Sequence, residues 1–200
     1  MLFIEVLVPK GAIGEEERRR IAAGLTATRL LADAEGHATD PGVMEFMDSL
    51  TDVVVREADT WYSGGVPLGP GAPPRYVVNV HSGAWGKEMS ETLITRITER
   101  LAGVDGGRDG EPDVLVNVLP VPQGSYGFGG RVRRASDLLE LIEQATTGPA
   151  GPVPDGMVVD PVCGATVPRA DAVILEAGGE TFGFCCAHCR GHFVKRRARA

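Results

Sequence analysis

The chain has 200 residues, 43% hydrophobic and 24% charged, with a formal charge of −7, the composition of an ordinary globular protein. No apolar run approaches the roughly 20 residues of a bilayer-crossing helix, and the opening "MLFIEVLVPKGAIG" lacks the basic n-region and cleavage site of a signal peptide, so the expected location is the cytoplasm and no membrane partner is expected. Residues 1–150 hold 14 Lys/Arg against 22 Asp/Glu, whereas the end carries Lys195, Arg196, Arg197 and Arg199, which reads as a solvated helix end rather than a nucleic-acid surface.

In chain order, Ile4–Val8 ("IEVLV") alternates like a strand and Pro9–Gly14 reads as a turn. An amphipathic helix is predicted over Glu15–Leu31, and "AEGHATDPG", with His37, reads as a loop. A strand is predicted at Val53–Glu57, leading into "WYSGG" (Trp61–Gly65). A shift of 72 residues then repeats the pattern, with Gly11 falling on Gly83, Gly14 on Gly86, Ile21 on Leu93 and Leu25 on Ile97. In the second copy Tyr76–Val80 is the strand, His81–Gly86 the turn and Lys87–Leu101 the helix. Val114–Val118 is the closing strand, before "YGFGG" (Tyr126–Gly130). His81 thus reads as a polar turn residue. Each strand–helix–strand unit favours a parallel crossover. Two copies (about 2–65 and 74–130) make a four-stranded mixed sheet with two helices on one face, an α+β class. The other face is left bare and needs a partner, most simply another subunit.

Residues 1–145 resemble the tautomerase superfamily, of the 4-oxalocrotonate tautomerase and macrophage migration inhibitory factor kind. The resemblance is carried by "LFIEVLVPKGAIGEEERRRIAAGL", by Trp61–Gly65 and by "PRYVVNVHSG". It implies a homotrimer that buries the bare sheet face, and a small keto or enol acid as ligand. It also implies a catalytic N-terminal proline, exposed by Met removal and acting as a general base. Here Leu2 stands at that place. It has no ring amine, its bulk is expected to block Met removal, and the free amine then belongs to Met1. Pro74 matches Leu2 in the second copy, but its nitrogen is an internal amide. The family's carboxylate-holding cations have Arg75 and Arg131 as candidates by position. Met1, Arg75 and Arg131 are therefore the candidate catalytic groups, in a chain lacking the family's main one.

Residues 146–156, "TTGPAGPVPDG", carry three Pro and three Gly without apolar periodicity and read as a linker. All four cysteines lie beyond it, in 157–200. A hairpin is predicted from Val173–Leu175 and Thr181–Phe184 around Ala177–Glu180, followed by "CCAHCRGHF" and a short basic helix. So short a segment cannot build much of a core, and in a reducing compartment a metal is the expected staple. Cys163 is presented by the turn in "DPVCG", with Asp160 as its turn residue. Cys185 and Cys189 are four apart on one helix face, and Cys186 and Cys189 form a C-x-x-C pair. Three or four thiolates suit Zn(II) or Cu(I). A redox C-x-x-C pair lacks a thioredoxin-like context, and buried structural cysteines are the other alternative. "DPVCG" and "FCCAHC", with Phe193 behind, look like the YHS/TRASH group of small metal-associated modules. That resemblance implies Cys163, Cys185 and Cys189 as ligands, with Cys186 a fourth thiolate or a spare. His188 is a lesser candidate, and His192 reads as a supporting or surface group. The expected protein holds or senses zinc or copper on a tautomerase-like scaffold. The alternative is a keto/enol-acid isomerase with a structural zinc module.

Overall fold

The computed structural model describes residues 1–32, 38–71, 73–83, 86–104, 113–149 and 151–199; His37 lies outside them. The elements run β1 (Leu2–Pro9), α1 (Glu15–Gly24), α2 (Ala27–Leu31), α3 (Pro41–Ser49), β2 (Thr51–Ala58), β3 (Trp61–Ser63), β4 (Val66–Leu68), β5 (Arg75–Gly83) and α4 (Lys87–Val104). They continue as β6 (Asp113–Val121), β7 (Gly127–Phe128), β8 (Arg131–Val132), α5 (Ala135–Ala145), β9 (Met157–Val159), β10 (Thr166–Pro168), β11 (Val173–Ala177), β12 (Glu180–Phe184) and α6 (Ala187–Arg197). Two compact units result: Met1–Leu31 with Leu50–Pro122, and Ala32–Ser49 with Gln123–Ala200. Among the described residues no helix is long and apolar enough to cross a membrane.

The first unit is an α+β layer pair. Its sheet has the order β2-β1-β5-β6. β1 and β2 pair in parallel, as do β5 and β6, while β1 and β5 meet antiparallel. The sheet is therefore mixed and its halves repeat one another. Leu2, Ile4, Val6 and Val8 alternate onto one face with Tyr76, Val78 and Val80, and all are fully buried. Ile21 and Leu25 from the first copy, and Leu93, Ile97 and Leu101 from α4, complete this core. The opposite face carries Phe3, Val54, Leu115 and Leu119, each more than a third exposed. A polar row crosses it: Arg56 donates to Glu5 (3.2 Å), Asn79 donates to Glu5 (3.3 Å), and Asn117 donates to Asn79 (3.0 Å).

Two expectations change here. The helix predicted over 15–31 is two helices, because Gly24 and Leu25 end α1 and the Thr26 hydroxyl accepts from Arg29 N–H (3.2 Å) to start α2. His81 is in strand, not turn: it pairs with Phe3 on one side and Leu119 on the other, and its ring lies 5.7 Å from that of Phe3. The aromatic-x-x-Gly-Gly endings are hairpin turns in both copies. β3 and β4 flank Gly64 and Gly65, β7 and β8 flank Gly129 and Gly130, and all four glycines have positive φ, as two-residue turns of this type require.

The second unit contains elements absent from the expected outline. α3 follows Asp40-Pro41, a helix cap with proline at the first helical position. The Asp40 carboxylate is buried and accepts from the N–H groups of Gly42 (2.9 Å), Val43 (3.1 Å), Thr147 (3.1 Å) and Gly148 (2.7 Å). The Pro/Gly stretch is thus fastened at its start. Gly42 lets α3 approach the end of α5, since a Cβ there would sit 2.2 Å from the Ala145 carbonyl oxygen. Ala38 pairs with Thr166 at the edge of β10. The predicted hairpin forms as β11 and β12, and Val162, Phe184, Cys189 and Phe193 make a small buried core.

Candidate metal centre

The β9–β10 connection is a tight turn whose first residue organises the rest. Asp160 is fully buried. Its Oδ1 accepts from Val162 N–H (2.8 Å) and Cys163 N–H (3.3 Å), the local bonding by which aspartate closes a turn. The Asp160 carbonyl also accepts from Gly164 N–H (2.8 Å), and Gly164 turns the chain with φ of +67°. Cys163 is thereby held at the crest, facing the small core.

The other two sulfurs come from the β12–α6 junction. Phe184 is fully buried and packs edge-on to Phe193 with ring centroids 5.3 Å apart, which fixes the chain entering α6. Cys185 follows directly, Cys186 caps the helix, and Cys189 lies one turn on, almost fully buried. Asp160 Oδ2 accepts from Cys185 N–H at 2.8 Å. One carboxylate therefore bonds to both cysteine-bearing segments, with Cys163 and Cys185 22 residues apart in sequence.

The Cys163 and Cys185 sulfurs are 3.6 Å apart, and those of Cys185 and Cys189 are 3.7 Å apart. None of the four cysteines is in a disulfide. A tetrahedral thiolate site with metal–sulfur bonds of about 2.3 Å has sulfur–sulfur edges of about 3.8 Å, so this spacing fits a bound ion with little movement. A carboxylate oxygen of Asp160 and the three sulfurs all lie within 4.8 Å of one another. Hydrogen bonds from Cys185 and then Cys189 hold the Cys163 thiol far below its ordinary range, at about 3. The bond to Cys163 pushes Cys189 up, and Cys185 likewise. Burial, followed by the charge of Cys163, raises the Asp160 carboxyl.

Cys163, Cys185 and Cys189, the three that the YHS/TRASH resemblance implies, are brought together. Cys186 is outside the four-atom group, although hydrogen bonds with Cys185 and Cys189 lower its thiol. His188 is exposed and also outside the group. His192 turns to α5, with Nε2 3.3 Å from Glu143 Oε2, and Arg196 pairs with the same carboxylate. Arg197 lies over the rings of Phe182 and Phe193, so the basic end is partly spent on its own module. Asp160 is the residue that sequence reasoning undervalued. "DPVCG" marks it as a turn former, and nothing local reveals its bond to Cys185.

The candidate catalytic groups are differently placed. Leu2 is fully buried between Thr51 and Ser82, its side chain in the sheet–helix core. Pro74, its match in the second copy, is also buried. Burial lowers the Met1 amine below its ordinary value. Arg75 is engaged by Ser63 and by Asp113 (2.9 Å). Arg131 is exposed on β8, beside a shallow hollow of ≈ 420 Å³ lined by Gly124, Tyr126 and Gly130.

No protein-family model and no curated protein matches this chain. Several solved structures do. R7 fused 4-OT, a wild-type asymmetric trimer, is 24% identical, with 65% of this chain and 94% of that chain covered and a TM-score of 0.49. Pt0534 inactivated by 2-oxo-3-pentynoate is 14% identical, with 65% and 94% covered and a TM-score of 0.48. A macrophage migration inhibitory factor-like protein from Entamoeba histolytica is 16% identical, with 64% and 94% covered and a TM-score of 0.44. The α+β class itself is carried by the strand order and register of this chain.

Proposed function

We propose that this chain holds or senses a soft or borderline metal ion, zinc(II) or copper(I), through Cys163, Cys185 and Cys189. The observation that carries the reading is the spacing of these three sulfurs, 3.6 and 3.7 Å along the cluster, without a disulfide. Residues 157–200 act as a YHS/TRASH-like module, 146–156 as the connection to it, and 1–145 as a tautomerase-like part. α3 and α5 brace the module within the second unit. Copies of the chain assemble through the open sheet face, as the tautomerase resemblance implies, and each copy adds a metal site. That multiplicity suits buffering or sensing in the cytoplasm. Thiol counting tests the reading: one equivalent of zinc is expected to protect three of the four cysteines from a thiol reagent. Four equally reactive thiols at every zinc concentration would contradict it.

The alternative, turnover of a small keto or enol acid beside a structural zinc, draws on the lowered Met1 amine, because a base working near neutral pH needs such a shift. Buried Leu2 and the engaged Arg75 count against it. Phenylpyruvate tautomerisation that is lost on blocking the amine would favour it.

A further inference from the structure

We infer that Asp160 is the fourth ligand of the centre, and that its oxygen makes the site selective for a divalent ion of the zinc class over copper(I). The inference rests on the metal-binding reading above and sharpens it.

Three observations converge. Asp160 is fully buried, yet among the described residues no lysine, arginine or histidine forms an ion pair with it. A carboxylate withdrawn from water without a positive partner is costly, and a cation among the facing sulfurs removes that cost. The backbone bonding leaves room for one: among the described residues Oδ1 accepts from two N–H groups, Val162 and Cys163, and Oδ2 accepts from one, Cys185, while the carboxylate also meets the thiols of Cys185 and Cys163. Each carboxylate oxygen has two lone pairs, so one lone pair of Oδ2 is not taken by a backbone N–H. Position completes the case, since a carboxylate oxygen of Asp160 lies within 4.8 Å of all three sulfurs whereas Cys186 and His188 are outside that group.

Ligand chemistry then separates the two candidate ions. Zinc(II) accepts carboxylate oxygen beside thiolates in a tetrahedral site. Copper(I) is satisfied by soft sulfur alone and gains little from a hard oxygen. Three thiolates and one carboxylate also carry four negative charges, which a dication offsets better than a monocation.

The test is Asp160→Asn in the full chain, with zinc and copper(I) affinities each measured by competition with a chelator. Asparagine keeps an oxygen for Val162 and Cys163 but presents an amide nitrogen where Oδ2 stood. The expected result is a zinc affinity lowered by at least about tenfold more than the copper(I) affinity, because the lost acceptor for Cys185 N–H disturbs the thiolates equally for both ions. Equal losses for both ions would make Asp160 a positioning residue only, and undiminished zinc affinity would also overturn the inference. Wild-type protein that binds neither ion would instead overturn the metal-binding reading. Zinc-edge X-ray absorption on the unmutated protein tests the same point independently of how the variant folds. Three sulfurs and one light atom are expected, and four sulfurs would overturn the ligand assignment.

Discussion

Gly164 meets Asp40 with no space for a side chain: a Cβ on Gly164 would lie 2.7 Å from Asp40 Oδ2 and 2.8 Å from its Cβ. The glycine also holds φ of +67°, in the left-handed region that a side chain disfavours. The cysteine turn and the capped start of α3 therefore lock each other. Gly164→Ala adds a conformational penalty to an overpacked contact, together about 2–5 kcal/mol. The expected outcome is a lower unfolding midpoint for the second unit and weaker zinc retention. Unchanged values for both would show that the turn tolerates movement.

Asp40, itself buried, satisfies donors from two distant segments, Gly42 and Val43 on one side and Thr147 and Gly148 on the other. Asp40→Ala leaves them unmatched, at roughly 1–3 kcal/mol for each donor that water cannot reach. Amide hydrogen exchange at Gly42, Thr147 and Gly148 is expected to accelerate together. Acceleration at Gly42 alone would mean that the 146–156 stretch is held by other contacts.

Cys163→Ala removes the thiolate that the turn would supply to a metal and leaves Cys185 and Cys189 without a sulfur partner from the β9–β10 turn. The segment from residue 157 onward is expected to become protease-sensitive, while the sheet of β2, β1, β5 and β6 stays resistant. Equal resistance of that segment in mutant and wild type would contradict a metal-stapled module. Chelation of the wild-type protein is expected to reproduce the mutant pattern, because metal binding and folding of so small a core are linked.

The open sheet face gives a separate prediction. Leu115 and Leu119 are 48% and 40% exposed beside the Glu5–Asn79–Asn117 row. Leu115→Asp places a charge on the face through which copies are proposed to assemble, and leaves the sheet–helix core on the other face untouched. Sedimentation is expected to show a smaller particle with an unaltered circular dichroism spectrum. A particle of unchanged size would place the interface elsewhere.

The repeat was legible because both of its periods were. Alternation marked β1 and β5, apolar spacing marked α1 and α4, and Gly64-Gly65 and Gly129-Gly130 announced their turns through the conformation they adopt. Three of the cluster's residues were legible from cysteine spacing only together with the YHS/TRASH resemblance. Helix α3 had a local signal in Asp40-Pro41, which a loop-like composition masked. The role of Asp160 had none, because its bond to Cys185 exists only once the β11–β12 hairpin has folded back. Spacing alone also left Cys185 and Cys186 nearly equivalent as partners of Cys189. What separates them is that Cys185 directly follows the strand that ends in buried Phe184, while Cys186 caps the helix.

Native mass spectrometry of the full chain, purified under reducing conditions, tests the metal-binding claim most directly. The predicted result is an assembly carrying one zinc per chain, with the metal lost on substitution of Cys163, Cys185 or Cys189 and kept on substitution of Cys186. A metal-free assembly with four free thiols, or a mass two hydrogens lighter from a disulfide, would contradict it.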